Sequence, residues 1–135
     1  MKKYLIICTL AAFLIAAGIF TVSAYTNDGT FTLYYSQNTE SSPKYLSDRY
    51  PIVTVENYNK STDGELAVSI MKKGLLGYSL KERIQVWMKN KPAASFYFGN
   101  YGSGTFKTVY VANKINGSGN LAGGYYMYSS YMPIN

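Results

Sequence analysis

The chain has no histidine and a single cysteine, Cys8, in 135 residues. Without imidazole, a Ser-His-Asp triad, a Cys-His pair and a histidine-ligated zinc site are excluded. Cys8 lies early in an apolar run and follows Ile7. A lipoprotein-type signal would place its cysteine after such a run, behind a small residue, so lipidation is excluded. If the run is removed, Cys8 goes with it. The remainder then has no disulfide and no thiolate for metal or redox chemistry, and it stands on a hydrophobic core alone. A strong helical period is also missing.

The one long hydrophobic run is N-terminal. Lys2 and Lys3 precede an uncharged stretch from Leu5 to Phe20, and Val22 and Ala24 stand three and one residues before Tyr25. That layout predicts a secretory signal peptide over 1–24, helical in its apolar part, cleaved between Ala24 and Tyr25. The secreted domain is then 25–135, a size for one domain. The alternative is a membrane anchor, because Leu5 to Ala24 is close to the roughly 20 residues that span a bilayer. A short lysine-led signal and a cysteine-free remainder fit a bacterial, extracellular protein. Asn59-Lys60-Ser61 and Asn116-Gly117-Ser118 match the glycosylation pattern, which has meaning only in a eukaryotic route.

Tyrosine dominates the aromatics: 15 Tyr against 6 Phe and 1 Trp. Tyrosine suits strands whose outer face is half-wet, and it is common at binding surfaces. Apolar and polar residues alternate in short runs separated by Gly, Asn, Pro and Ser. This predicts seven strands: Thr30–Ser36, Ile52–Tyr58, Glu65–Lys73, Glu82–Met88, Ala94–Gly99, Thr105–Asn113 and Leu121–Ser130. Tyr45–Arg49 reads as an ambiguous segment, compatible with one helical turn. Asn100–Gly104 and Asn116–Gly119 read as hairpin turns. Gly123-Gly124 marks a bulge or a close backbone approach. The expected fold is all-β, a single small antiparallel β-sandwich with jelly-roll or immunoglobulin-like connections. A small closed barrel is the alternative.

Carboxylates and lysines are the remaining reactive groups. The acids are Asp28, Glu40, Asp48, Glu56, Asp63, Glu65 and Glu82. Their spacing selects no acid–base pair. Glu56 and Glu82 read as polar strand faces. Asp63-Gly64-Glu65 lacks the repeated oxygen ligands of a calcium loop. Gly99–Gly104 is glycine-rich, but a strand follows it where a phosphate loop needs a helix. The chain is therefore expected to be no enzyme and to need no metal or cofactor.

The excess of base, 13 Lys and Arg against 7 Asp and Glu, favours anionic surfaces and is also ordinary for solubility. Lys72, Lys73, Lys89 and Lys91 interleave with Leu75, Leu76, Tyr78 and Trp87. Together they form the candidate interaction surface, suited to a lipid interface or an anionic polymer. The competing reading has Leu75 and Leu76 capping the core while the lysines solubilise its rim. Nothing points to nucleic acid. The expected function is non-catalytic binding outside the cell, to a surface polymer or a protein. A bacteriocin-like or membrane-active antagonist and a secreted enzyme inhibitor are the alternatives.

Overall fold

Phe31 and Leu33 are buried while Thr30 and Thr32 beside them are exposed. That period of two is what a half-buried strand requires. The computed structural model describes residues 27–134. Residues 1–24, Cys8 and the Ala24-Tyr25 junction lie outside the described residues. Nine strands follow one another: β1 (Gly29–Leu33), β2 (Asn38–Glu40), β3 (Lys44–Leu46), β4 (Tyr50–Asn57), β5 (Gly64–Gly74), β6 (Gly77–Trp87), β7 (Ala93–Tyr97), β8 (Gly104–Ile115) and β9 (Leu121–Ser130). There is no helix among the described residues.

The strands form two antiparallel sheets. One has the order β1-β9-β4-β7; the other has β2-β8-β5-β6, with β3 also paired to β8. Their inner faces share one core. Val53, Val55, Phe96 and Met127 come from the first sheet, and Leu66, Val68, Ile70 and Phe106 from the second. Aromatic rings join the sheets across that core. Tyr110 on β8 lies 5.3 Å from the Phe31 ring and 4.6 Å from the Tyr125 ring, centroid to centroid. Burial of Tyr110 would strand its hydroxyl, but Thr108 Oγ1 donates to it at 2.9 Å. Burial also raises the Tyr110 phenol well above its ordinary range.

Several sequence expectations need correction. Among the described residues there are nine strands rather than seven, because the stretch between the first two expected strands holds β2 and the ambiguous Tyr45–Arg49 contributes to β3. Both are three-residue segments, too short to show a period. The predicted fourth strand begins at Gly77 rather than Glu82. Asn100–Gly104 and Asn116–Gly119 are not hairpin turns. They carry the chain from one sheet to the other, since β7 and β9 lie in the first sheet and β8 in the second. Among the described residues, β5 and β6 are the consecutive strands bonded directly to each other.

The close approach expected at Gly123-Gly124 is present. Gly123 pairs with Asn57, and a Cβ there would collide with the Glu56 carbonyl oxygen and then meet the Phe31 ring. Only glycine fits that position.

Candidate functional site

The β5–β6 hairpin turns through Leu75 and Leu76, between the paired Gly74 and Gly77. Gly77 has φ +114°, a conformation that L side chains rarely adopt, and so closes the turn without strain. Turn tips normally carry Asn, Asp, Gly, Pro or Ser. Here both tip residues are leucines, and they are fully exposed, at 105% and 104% of reference. Pairing of β5 with β8 stops at Lys72, so the tip extends beyond its neighbour strand. The leucines do not cap the core.

The outer face next to the tip is mixed. Lys73 pairs with Tyr78, and Met71 pairs with Leu80, which is 59% exposed. The Lys107 ammonium lies 4.6 Å over the Tyr78 ring and bonds Glu40 at 3.2 Å. A register shift at Ile70/Met71 leaves Lys81 as an extra residue on β6. Leu80 thus joins Tyr78 on the outer face, while Glu82 turns to the inner one.

Lys72 and Glu82 depart from their sequence readings. Lys72 opposes Phe106 and shares the inner face. Its Nζ donates to the Tyr101 carbonyl at 2.6 Å and lies 5.7 Å from the Phe106 ring centroid. Glu82 is not on a polar outer face. Its Oε1 accepts from the Gly99 N–H at 2.9 Å and from the Tyr101 hydroxyl at 2.8 Å. Burial, then the hydrogen bond and charge of Glu82, push the Tyr101 phenol up to about 12. This cluster closes the tip end of the core.

Trp87, Lys89 and Lys91 lie at the other end of the hairpin. The eleven-residue β6 separates them from the tip by roughly 30 Å at the usual strand rise. Trp87 Nε1 donates to Asp63 Oδ1 at 2.8 Å, and Asn116 reaches Asp63 Oδ2. Glu65 accepts from Asn113, which in turn accepts from Arg83. The carboxylates flanking Gly64 therefore hold strand ends together. The eight residues of the candidate surface divide into a tip group (Lys73, Leu75, Leu76 and Tyr78), an inward Lys72, and a distant group of Trp87, Lys89 and Lys91. Among the described residues, no three His, Cys, Asp or Glu side chains gather as a metal would need.

Sequence reasoning missed Met71 and Leu80 at the tip. Their signal was the continuing alternation Tyr78-Leu80, hidden because the segment after Gly77 carried no strand assignment. It also left open where the C-terminal tyrosines point. Tyr125 faces the core, while Tyr126 and Tyr128 stack at 5.4 Å on the opposite face, as their spacing predicts. A groove of about 250 Å³ opens beside them, bordered by Lys44–Asp48 and Tyr126–Ser129.

These features define an all-β protein of two antiparallel sheets, with an apolar hairpin tip at one end and a tyrosine-bordered groove between β3 of one sheet and β9 of the other. No family model matches the chain, and no curated protein matches it. A solved structure described as "Crystal structure of PirA" is similar over 80% of this chain and 98% of that one, with TM-score 0.47 and 15% identity.

Proposed function

We propose that the chain is an exported, non-catalytic protein that works outside the cell by docking its β5–β6 hairpin on an anionic lipid surface. The observation that carries this reading is the full exposure of Leu75 and Leu76 at the hairpin tip. Fully burying a leucine gains about 1.5–3 kcal/mol, so the fold leaves a substantial driving force unused in water. Lys73 beside the tip adds about 1 kcal/mol near an anionic bilayer, and Lys81 contributes in the same sense. The sum supports reversible attachment.

Within this reading the fold is a jelly roll. The pairs β1·β9, β2/β3·β8, β4·β7 and β5·β6 nest like one long folded ribbon rolled into two sheets. The last pair forms the closed end of that ribbon, which is why its turn protrudes.

The test is co-sedimentation of the purified mature protein with phosphatidylglycerol-containing vesicles and with neutral phosphatidylcholine vesicles. Binding is expected to the anionic vesicles, to fall with added salt, and to drop at least about tenfold in Leu75→Ser/Leu76→Ser. Absence of binding, or equal binding by the double variant, defeats the proposal. N-terminal sequencing of the released product is expected to begin at Tyr25; a product retaining Lys2 and Lys3 defeats the export reading and favours an anchor.

A further inference from the structure

Asn116-Gly117 is the sole asparagine–glycine pair in the sequence. It lies in the loop that carries the chain from β8 to β9, where residues 116 to 119 are all exposed. Gly117 has φ +82°, and beyond its chain neighbours no atom lies within 4 Å of where a Cβ would stand. Its N–H meets no acceptor among the described residues. The Asn116 side chain is held loosely, Nδ2 reaching Asp63 Oδ2 at 3.4 Å. Its backbone N–H, by contrast, donates to the Asp63 carbonyl at 2.8 Å. Asn116 is thus anchored on its N-terminal side and has room to move on its C-terminal side.

We infer that Asn116 is a site of spontaneous deamidation, and that the product carboxylate, set against Asp63, loosens the bond between Asp63 and Trp87. The Gly117 nitrogen attacks Asn116 Cγ, and the new C–N bond closes a cyclic succinimide. The Cγ–Nδ2 bond breaks, and Nδ2 leaves as ammonia with the proton that Gly117 N gives up. Water then opens the ring. Attack at Cγ gives aspartate; attack at the main-chain carbonyl carbon gives isoaspartate, with the chain routed through Cβ. Water is the co-reactant, and nothing is oxidised or reduced. Glycine favours ring closure because no side chain shields its nitrogen and its backbone rotates freely.

The fold selects this position among similar ones. Asn57 is buried, and its Nδ2 donates to the Met88 and Lys91 carbonyls. Asp28-Gly29 and Asp63-Gly64 could form the same ring. Asp28, however, is bonded to Lys44 and the Met127 N–H, and Asp63 to Trp87. Both of those glycines also lie in paired strands.

The consequence is local. A carboxylate at 116 accepts hydrogen bonds where the amide donated. It meets Asp63, whose other oxygen holds Trp87 Nε1 at 2.8 Å, and the two like charges repel. Isoaspartate adds a further displacement, because an extra methylene enters the main chain just after the Gly64–Ile115 pair. Trp87 is the sole tryptophan in the sequence, so its emission reports on the Asp63 bond directly. The site is independent of the hairpin tip, which lies at the far end of β6.

The test is ageing of the purified mature chain for days at mildly alkaline pH and body temperature, followed by peptide mass mapping, isoaspartate assay and tryptophan emission. Asn116 is expected to convert ahead of every other asparagine, with Asn57 unchanged, and the Trp87 emission to shift to the red in step with it. Freshly prepared Asn116→Asp should show a red shift without ageing. Asn116→Gln keeps the amide but disfavours ring closure, so it should lose both the ammonia release from this loop and the drift in emission. The inference is overturned if Asn116 keeps its amide throughout, or if another asparagine converts first. Conversion with unchanged emission, or unshifted emission in Asn116→Asp, overturns the link to Trp87.

Discussion

Lys72 Nζ donates to the Tyr101 carbonyl at 2.6 Å, so a lysine that faces the core discharges its polar end on the rim of that core. Its stem lies beside Phe106, which is fully buried. A long cationic side chain can cover apolar surface in this way provided its head finds an acceptor. We expect Lys72→Ala to cost about 1–2 kcal/mol in urea unfolding, from lost cover and a lost charged hydrogen bond. Lys72→Met keeps the cover and should cost less. Neither should change vesicle binding, because Lys72 is not at the tip; a loss of binding in Lys72→Met would assign it a direct lipid contact.

Alkaline pH should weaken the fold through its tyrosines. The Tyr101 phenol is held at about 12, against an ordinary value near 10, so the folded chain keeps a proton that the unfolded chain releases. This contribution is complete below pH about 10 and is lost as pH rises toward about 12. Burial raises Tyr110 and Tyr125 as well, and raises Tyr58 together with Glu56. Unfolding midpoints in urea are expected to fall across that window, and Tyr101→Phe should reduce the slope without abolishing it. Tyrosinate absorbance should show a late-titrating class that merges with the rest on unfolding.

Asp28 should matter more as an acceptor than as a charge. Its ion pair with Lys44 is half-exposed, and such pairs contribute about 0–1 kcal/mol. Its bond from the Met127 N–H satisfies a backbone donor on β9 just past Tyr125, where the pairing with β1 stops. Asp28→Ala is expected to cost about 1–3 kcal/mol by leaving that N–H unpaired. Asp28→Asn retains an acceptor oxygen and should cost less. Equal losses in the two variants would show that the charge matters more than the acceptor.

Gly123→Ala should be the most damaging single-methyl change. The added Cβ would collide with the backbone oxygen of Glu56, and neither paired strand can retreat without breaking the ladder between β4 and β9. The expected loss is about 3 kcal/mol or more, seen as a large fall in melting temperature or in soluble yield. A near-normal melting temperature would mean that the β4–β9 pairing is looser than described.

Much of the local structure was legible along the chain. Leu66, Val68 and Ile70 share the inner face, as do Phe96 and Phe98, because a pleated strand alternates its side chains and the pattern was unbroken there. β2 and β3 were not legible, since three residues carry no period. Lys72 was misplaced by its charge, although its spacing from Ile70 already put it on the inner face. The tip leucines were found as a pair, but their exposure was undecided. An apolar turn caps a core or leaves it depending on how far its neighbour strand extends.

By itself, then, the sequence determined what is local: strand faces, the Gly123 close approach, the want of imidazole chemistry, and the apolar residues at one turn. Tertiary structure alone decided which strands are neighbours, and with that the rest. Asn100–Gly104 crosses between sheets because β7 and β8 pair with partners far away in sequence. Leu75 and Leu76 stand in solvent because β8 pairs with β5 no further than Lys72. The groove between Lys44–Asp48 and Tyr126–Ser129 exists because β3 and β9, far apart in sequence and in different sheets, come side by side. Each depends on which strands pair and how far the pairing runs, long-range quantities that no window of neighbouring residues encodes.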